Sequence, residues 1–251
     1  MQIPMQPVVP DLWWPTGRTL EQDWYLRRPA CAEGTDWQES VDPDGRLRHR
    51  LTEAERLQWL DDMAEEIDWL RRLPPGLLID VGCGPGWLMR AMPTTWDCCG
   101  VEVAPEAIEE LNRRGLWHVD DLTDIAEGVA DVVVAYHVIE HLQYPERHLS
   151  QMRKRLRKDG WLLIGTPDFA SPCAVRFNDN YRMLHDPTHV SLFTLESLHR
   201  FVRDHGFRVV DMRFPFPTRY ATPETLMRWH DTSQVSPPWP GNWVTLYCQR
   251  T

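Results

Sequence analysis

From Leu77 onwards, short apolar runs of strand length alternate with stretches of helical character, a pattern that few folds accommodate. The apolar runs lie at residues 77–81, 98–103, 116–119, 131–136, 160–166, 207–214 and 242–249. Helical stretches at 87–92, 105–114, 146–158 and 194–206 separate most of them. The stretch at 105–114 carries its own punctuation. Pro105 suits a first turn, Arg113 and Arg114 oppose the negative end of the helix dipole, and Gly115 suits the cap. Nearly unbroken apolar strands belong to a sheet covered on both faces, and strand–helix alternation makes such a sheet parallel.

The expectation is therefore an α/β fold, a doubly wound and mostly parallel seven-stranded sheet of Rossmann-like type. Before it, Thr52 and Glu55 fit a capping box. Leu57, Leu60, Met63, Ile67, Leu70 and Leu73 mark the apolar face of a single helix that Pro74 and Pro75 stop. Residues 1–50 are rich in proline and tryptophan without a sustained period and read as an irregular cap or lid. Residues 51–251 read as one domain. Two segments break the rhythm, 167–192 with its prolines and histidines and 215–241 with its prolines and tryptophans.

Bulk properties narrow the partners. Hydrophobic residues make up 42% of the 251, enough for a substantial core, and the net charge is −10. A chain that grips phosphates needs basic surface, so the expected partner is a small molecule and no nucleic acid. The chain shows no cationic start followed by an apolar run and no bilayer-length apolar stretch, so cytoplasmic localisation without membrane insertion is expected. Cysteines 31, 83, 98, 99, 173 and 248 form no metal-type pair and read as reduced thiols.

The first strand runs into Asp80-Val81-Gly82-Cys83-Gly84-Pro85-Gly86. Gly82, Gly84 and Gly86 let the backbone turn tightly and approach a ligand. A dinucleotide loop needs glycine at the sixth place of its frame, where this chain has Trp87, and the phosphate loop G-x-x-x-x-G-K-[ST] is missing. Glu102, ending the second strand, is placed to accept hydrogen bonds from ribose hydroxyls. Asp80 is placed to meet a cationic ligand group. Asp120 and Asp121 close the third strand, where a purine edge can be read.

In order, the segments 77–86, 100–103, 131–142 and 156–167 resemble the class I S-adenosylmethionine-dependent methyltransferases over roughly residues 50–214. The resemblance implies S-adenosylmethionine as cofactor, with Asp80, Gly82, Gly84 and Gly86 around its methionine part. It implies Glu102 on the ribose, Val103 beside the adenine, and Asp121 on the adenine amino group with Leu122 next to it. Tyr136, ending the fourth strand, joins the same cofactor set.

Two histidine segments follow strands that end at one edge of the sheet, His137-Val138-Ile139-Glu140-His141 and His185-Asp186-Pro187-Thr188-His189. Histidine titrates near neutrality and can take the proton of an attacking hydroxyl. His141 or His189 is the expected general base, with His137 third, and the expected reaction is O-methylation of a small molecule. Methylation at nitrogen or carbon, an inert cofactor-binding module and a nicotinamide oxidoreductase stay as alternatives. The segments also resemble the E-x-x-E-H plus distant histidine of ubiquinone-pathway O-methyltransferases, with His137 in place of the first glutamate. Nitrogen-rich ligands at His137, Glu140, His141 and His189 would suit a transition metal better than magnesium.

Overall fold

The computed structural model describes residues 24–28, 39–41, 47–49 and 51–251. Its centre is a seven-stranded sheet built from β1 (Leu77–Val81), β2 (Asp97–Val101), β3 (His118–Val119), β4 (Ala130–Tyr136), β5 (Leu156–Pro167), β6 (Phe207–Arg213) and β7 (Trp243–Arg250). The spatial order is β6-β7-β5-β4-β1-β2-β3. Strands β3, β2, β1, β4 and β5 pair in parallel, and β7 inserts antiparallel between β5 and β6. The order reverses between β1 and β4, so the crevice for a ligand opens at their carboxyl ends.

Alternate residues of the central strands feed two cores. Ile79, Val133, Leu162 and Leu246 face Leu149 and Met152 of α5 (Pro145–Arg155) and Leu198, Phe201 and Val202 of α7 (Leu195–Asp204). Leu78, Val132, Val134 and Leu163 face Ile67 and Leu70 of α2 (Ala64–Arg71) and Leu88 of α3 (Trp87–Ala91). This is the period-two pattern of a sheet covered on both sides.

Several boundaries differ from the sequence reading. The single helix over 57–73 is two, α1 (Glu53–Asp62) and α2, because at Met63 the backbone leaves helical geometry with φ −105° and ψ 16°. Met63 is buried at the break, whereas Leu57, expected on the apolar face, is exposed. The helix expected to residue 158 ends at Arg155, and β5 starts at Leu156, not at 160. Leu156 pairs with Ala130, and Asp159 absorbs the ensuing register shift with φ 60°. The charged run Arg157-Lys158-Asp159 hid that strand start, since it is exposed.

Helix α4 (Pro105–Arg114) follows its reading, with Gly115 left-handed at its cap. The interrupting segments hold two short helices, α6 (Pro172–Phe177) and α8 (Pro223–Trp229). Phe169, Phe177 and Tyr181 pack there against Trp229 and Trp239, the last two stacked 4.0 Å apart. Most of the expected 1–50 cap lies outside the described residues. Within it, Leu26–Arg27 pairs antiparallel with Ser191–Leu192, and Glu39–Val41 pairs with Leu47–His49.

Candidate functional site

The three loop glycines all adopt left-handed backbone, Gly82 at φ 66°, Gly84 at 52° and Gly86 at 74°. A side chain would fail for steric reasons too. A Cβ at Gly82 would lie 2.7 Å from Val138 Cγ2, and one at Gly86 would lie 2.5 Å from Leu116 Cδ1. The loop is held from β2: Gly82 N–H donates to the Val101 carbonyl at 2.8 Å. Gly84 N–H donates to Glu102 Oε2 at 2.8 Å.

Glu102 does more than the sequence suggested. Its Oε1 accepts the Val103 and Ala104 N–H groups at 2.7 and 2.8 Å, so it organises the end of its own strand as well as the glycine loop. A carboxylate has about four lone-pair sites, which leaves one direction at Oε2 for a ligand hydroxyl. Val103 is 75% exposed, an apolar surface presented beside that carboxylate.

Asp80 is buried, and among the described residues the charge acting on it is that of Glu102. Burial, with the Glu102 charge adding to it, pushes its carboxyl up to about 8. Two carboxylates at the mouth of a glycine loop form a site lacking positive charge. A ligand with a cationic sulfonium and ammonium fits that lack.

Asp121 is exposed and caps the turn Leu122–Asp124, accepting Thr123 N–H at 2.7 Å. That backbone hydrogen bond, followed by the Thr123 hydroxyl, holds its carboxyl below the ordinary range. The Leu122 side chain is buried in the same core as Ile125 and Met152. Tyr136 is buried on the α2 side of the sheet, its ring lying over Gly165, where a Cβ would come within 2.6 Å.

Beyond β4, His137 sits at φ 55°, an unusual conformation for a side-chain-bearing residue, stabilised by its N–H donating to the Gly165 carbonyl at 2.8 Å. Its Nδ1 lies 3.0 Å from Glu140 Oε1. Glu140 is fully buried, and its Oε2 accepts the Thr166 hydroxyl at 2.9 Å. Burial raises its carboxyl, but the His137 hydrogen bond and the nearness of the His137, His141 and His189 rings prevail and hold it at about 2. An ionised acceptor makes His137 Nδ1 the donor and leaves Nε2 with the lone pair in the neutral ring.

The same accounting orients the other two rings. The Thr188 hydroxyl donates to Asp186 Oδ1 at 2.5 Å, so its oxygen accepts from His141 Nδ1 at 2.9 Å. His189 Nδ1 donates to the Met183 carbonyl at 2.7 Å, and burial lowers its pKa, favouring the neutral ring. The His141 and His189 rings lie 4.9 Å apart. One ligand atom from each of Glu140, His141 and His189 falls within 4.8 Å of the others. The fold thus gathers His141 and His189 on one side of Glu140 and places His137 hydrogen-bonded to it, while His185 is spent on the Asp179 carbonyl. Thr166, Thr188 and Glu66 were missed by the sequence reading. Only Glu66 had left a signal, a charge on the buried stripe of Met63, Ile67 and Leu70.

No helix among the described residues is long and apolar enough to cross a membrane. The model of the methyltransferase domain family matches residues 47–212. The chain is similar to a ubiquinone biosynthesis O-methyltransferase of Burkholderia pseudomallei, 26% identical over 187 residues, covering 66% of this chain and 78% of the relative. It is also similar to a tRNA U34 carboxymethyltransferase of Mannheimia succiniciproducens, 29% identical over 125 residues, covering 43% and 38%. The first curated relatives are matched over only 34% to 48% of their length. Among solved structures it resembles a Thermotoga maritima S-adenosylmethionine-dependent methyltransferase, described as a possible histamine N-methyltransferase. That likeness has a TM-score of 0.56 at 21% identity and covers 79% of this chain and 96% of the other. The chain belongs to the methyltransferase domain family, and family and fold together imply S-adenosylmethionine as its cofactor.

Proposed function

We propose that the chain methylates an oxygen nucleophile of a small molecule, with His137 as general base and Glu140 as its positioning residue. When bound, S-adenosylmethionine supplies an electrophilic methyl group. Asp80 and the glycine loop would hold its methionine part, Glu102 its ribose, and Val103, Asp121 and Leu122 its adenine. In-line transfer then asks the protein to align the nucleophile, exclude water and accept a proton.

The observation that carries the reading is the hydrogen-bonded chain Thr166–Glu140–His137. A buried, ionised carboxylate fixes the ring and its tautomer, so Nε2 is the proton acceptor. His137 adjoins the loop through Val138, which packs over Gly82. This reading departs from the expected preference for His141 or His189: their Nδ1 atoms meet the neutral oxygens of Thr188 and Met183, whereas His137 meets an ionised carboxylate, and His189 is buried. The name of the Burkholderia relative supports an oxygen acceptor. The tRNA-modifying relative keeps an RNA acceptor as a rival, against which the −10 net charge weighs.

A second reading rests on Glu140, His141 and His189, whose two nitrogens and one oxygen fit a transition metal ion that would bind and polarise the acceptor. One experiment separates the two. Transfer of labelled methyl to candidate phenols and to RNA is followed for wild type and His137→Ala, before and after dialysis against chelator. The base reading expects small-molecule transfer to survive chelation and to fall about 100-fold or more in the variant. Loss on chelation with rescue by a divalent metal would favour the second reading, and no transfer to any acceptor would leave an inert module.

A further inference from the structure

On the α2 side of the sheet, next to His137, lies a seam of polar groups that, apart from Tyr136 of the expected cofactor set, have no part in the methyl-transfer reading. Six buried side-chain polar atoms meet no partner in strict hydrogen-bond geometry among the described residues, and five lie here: Glu66 Oε2, Tyr247 Oη, Arg219 Nε, and Tyr136 Oη with the Trp243 Nε1 that faces it. Each such group costs about 1–3 kcal/mol when left unmet, so their concentration in one place favours a polar occupant. Glu66 is fully buried, and its other oxygen, Oε1, accepts the Thr245 hydroxyl at 2.7 Å. Desolvation raises its carboxyl above the ordinary range, and His137 is among the groups it senses. The Tyr136 hydroxyl faces the charges of Glu66 and Asp62.

Aromatic rings line the same seam. Trp59 of α1 stands edge-on to Trp87, at the start of α3, at 5.8 Å and to Tyr136 at 6.3 Å, which links the seam to the glycine loop. Trp243 lies 6.1 Å from the His137 ring and 6.5 Å from Tyr220. The seam already holds a cation of the protein's own. The Arg219 guanidinium pairs with Asp61 and Asp62 and lies 4.3 Å from the centre of the Tyr220 ring. Arg213 repeats the arrangement over Tyr247 at 5.1 Å. Carboxylates with aromatic faces attract organic cations, by charge and by the ring quadrupole.

We propose that this seam is the acceptor subsite and that the acceptor is a protonated amine carrying the methyl-accepting hydroxyl, its ammonium bound by Glu66 and the Tyr136 and Trp59 rings. The inference rests on the methyltransferase reading and names the class of molecule it acts on. The hydroxyl end is directed to His137, beside the Trp243 indole N–H. A neutral or anionic molecule of the same shape leaves the Glu66 carboxylate unmet or repelled.

The test is calorimetric binding to the full chain loaded with S-adenosylhomocysteine, using tyramine, 4-ethylphenol and 3-(4-hydroxyphenyl)propionate. Tyramine should bind about tenfold or more tightly than 4-ethylphenol, and the propionate weakest. Glu66→Gln keeps shape and the acceptor for Thr245, and it should erase the tyramine preference while leaving 4-ethylphenol unchanged. Arg219→Ala, which removes the resident cation, should tighten tyramine binding. Equal binding of tyramine and 4-ethylphenol, no tyramine binding at millimolar concentration, or an unchanged preference in Glu66→Gln would overturn the proposal. Failure of S-adenosylhomocysteine itself to bind would instead strike the methyltransferase reading.

Discussion

At the scale of single residues, Asp80 carries an electrostatic tension, its carboxyl pushed up to about 8 by burial and the nearby Glu102. Its folded value lies above its unfolded one, so the folded, ligand-free chain binds the extra proton. The associated stability falls as pH rises from about 4 to about 8 and is level beyond. A cationic ligand reverses the tension by favouring the carboxylate. Binding of S-adenosylmethionine at pH 7 should therefore release up to about one proton per site, read as a dependence of calorimetric heat on buffer ionisation enthalpy. Asp80→Asn should bind with buffer-independent heat. Buffer-independent heat in the wild type would contradict the role given to Asp80. Glu140 is the opposite case, an acid buried among three imidazoles and kept ionised by them.

At the scale of elements, local chemistry and packing agree most closely in α7. The Thr194 hydroxyl accepts Ser197 N–H at 3.1 Å, and Ser197 Oγ accepts Thr194 N–H at 2.9 Å, a reciprocal cap. Phe193 before the cap and Leu198 inside the helix are both fully buried in one core, as a staple requires. Thr194→Ala should cost about 1 kcal/mol, lowering the melting temperature by roughly 2–4 °C in a thermal melt, with S-adenosylhomocysteine affinity unchanged. The break at Met63 has a different consequence. Helix α2 begins directly after it, and Glu66 on that helix lies against Thr245 of β7.

At the scale of the molecule, the short strand Leu26–Arg27 ties the early chain to the histidine segment by pairing with Ser191–Leu192. Tyr25 is buried in the main core beside Phe193, 5.3 Å between ring centres, and its hydroxyl donates to Glu146. Arg28 donates to the carbonyls of Leu184, Asp186 and His189, bracing the loop that carries a histidine of the cluster. Tyr25→Ala should therefore cost about 3 kcal/mol and lower the melting temperature by roughly 6–12 °C. The same variant should weaken methyl transfer, because the 185–192 segment loses its support. An unchanged melt would show that the early chain adds nothing to this core.

Strand identity, strand order in the chain and the glycine loop were readable because their causes are local. Apolar period, cap residues and the left-handed need of Gly82, Gly84 and Gly86 act within a few residues of each other. Asp80 and Glu102 were readable as strand-end acids for the same reason. The hydrogen-bonded roles were not, because they depend on groups far apart in the chain. Thr166 meets Glu140 across 26 positions, Thr188 meets His141 across 47, and Thr245 meets Glu66 across 179. Which histidine has a positioned, proton-accepting nitrogen is a question of tautomer, and only the partners brought in by the tertiary fold decide it. The sequence alone determined the fold class and a glycine loop after β1. The three-dimensional packing decided that His137 is the ring Glu140 holds, and that a buried carboxylate on α2 waits beside it.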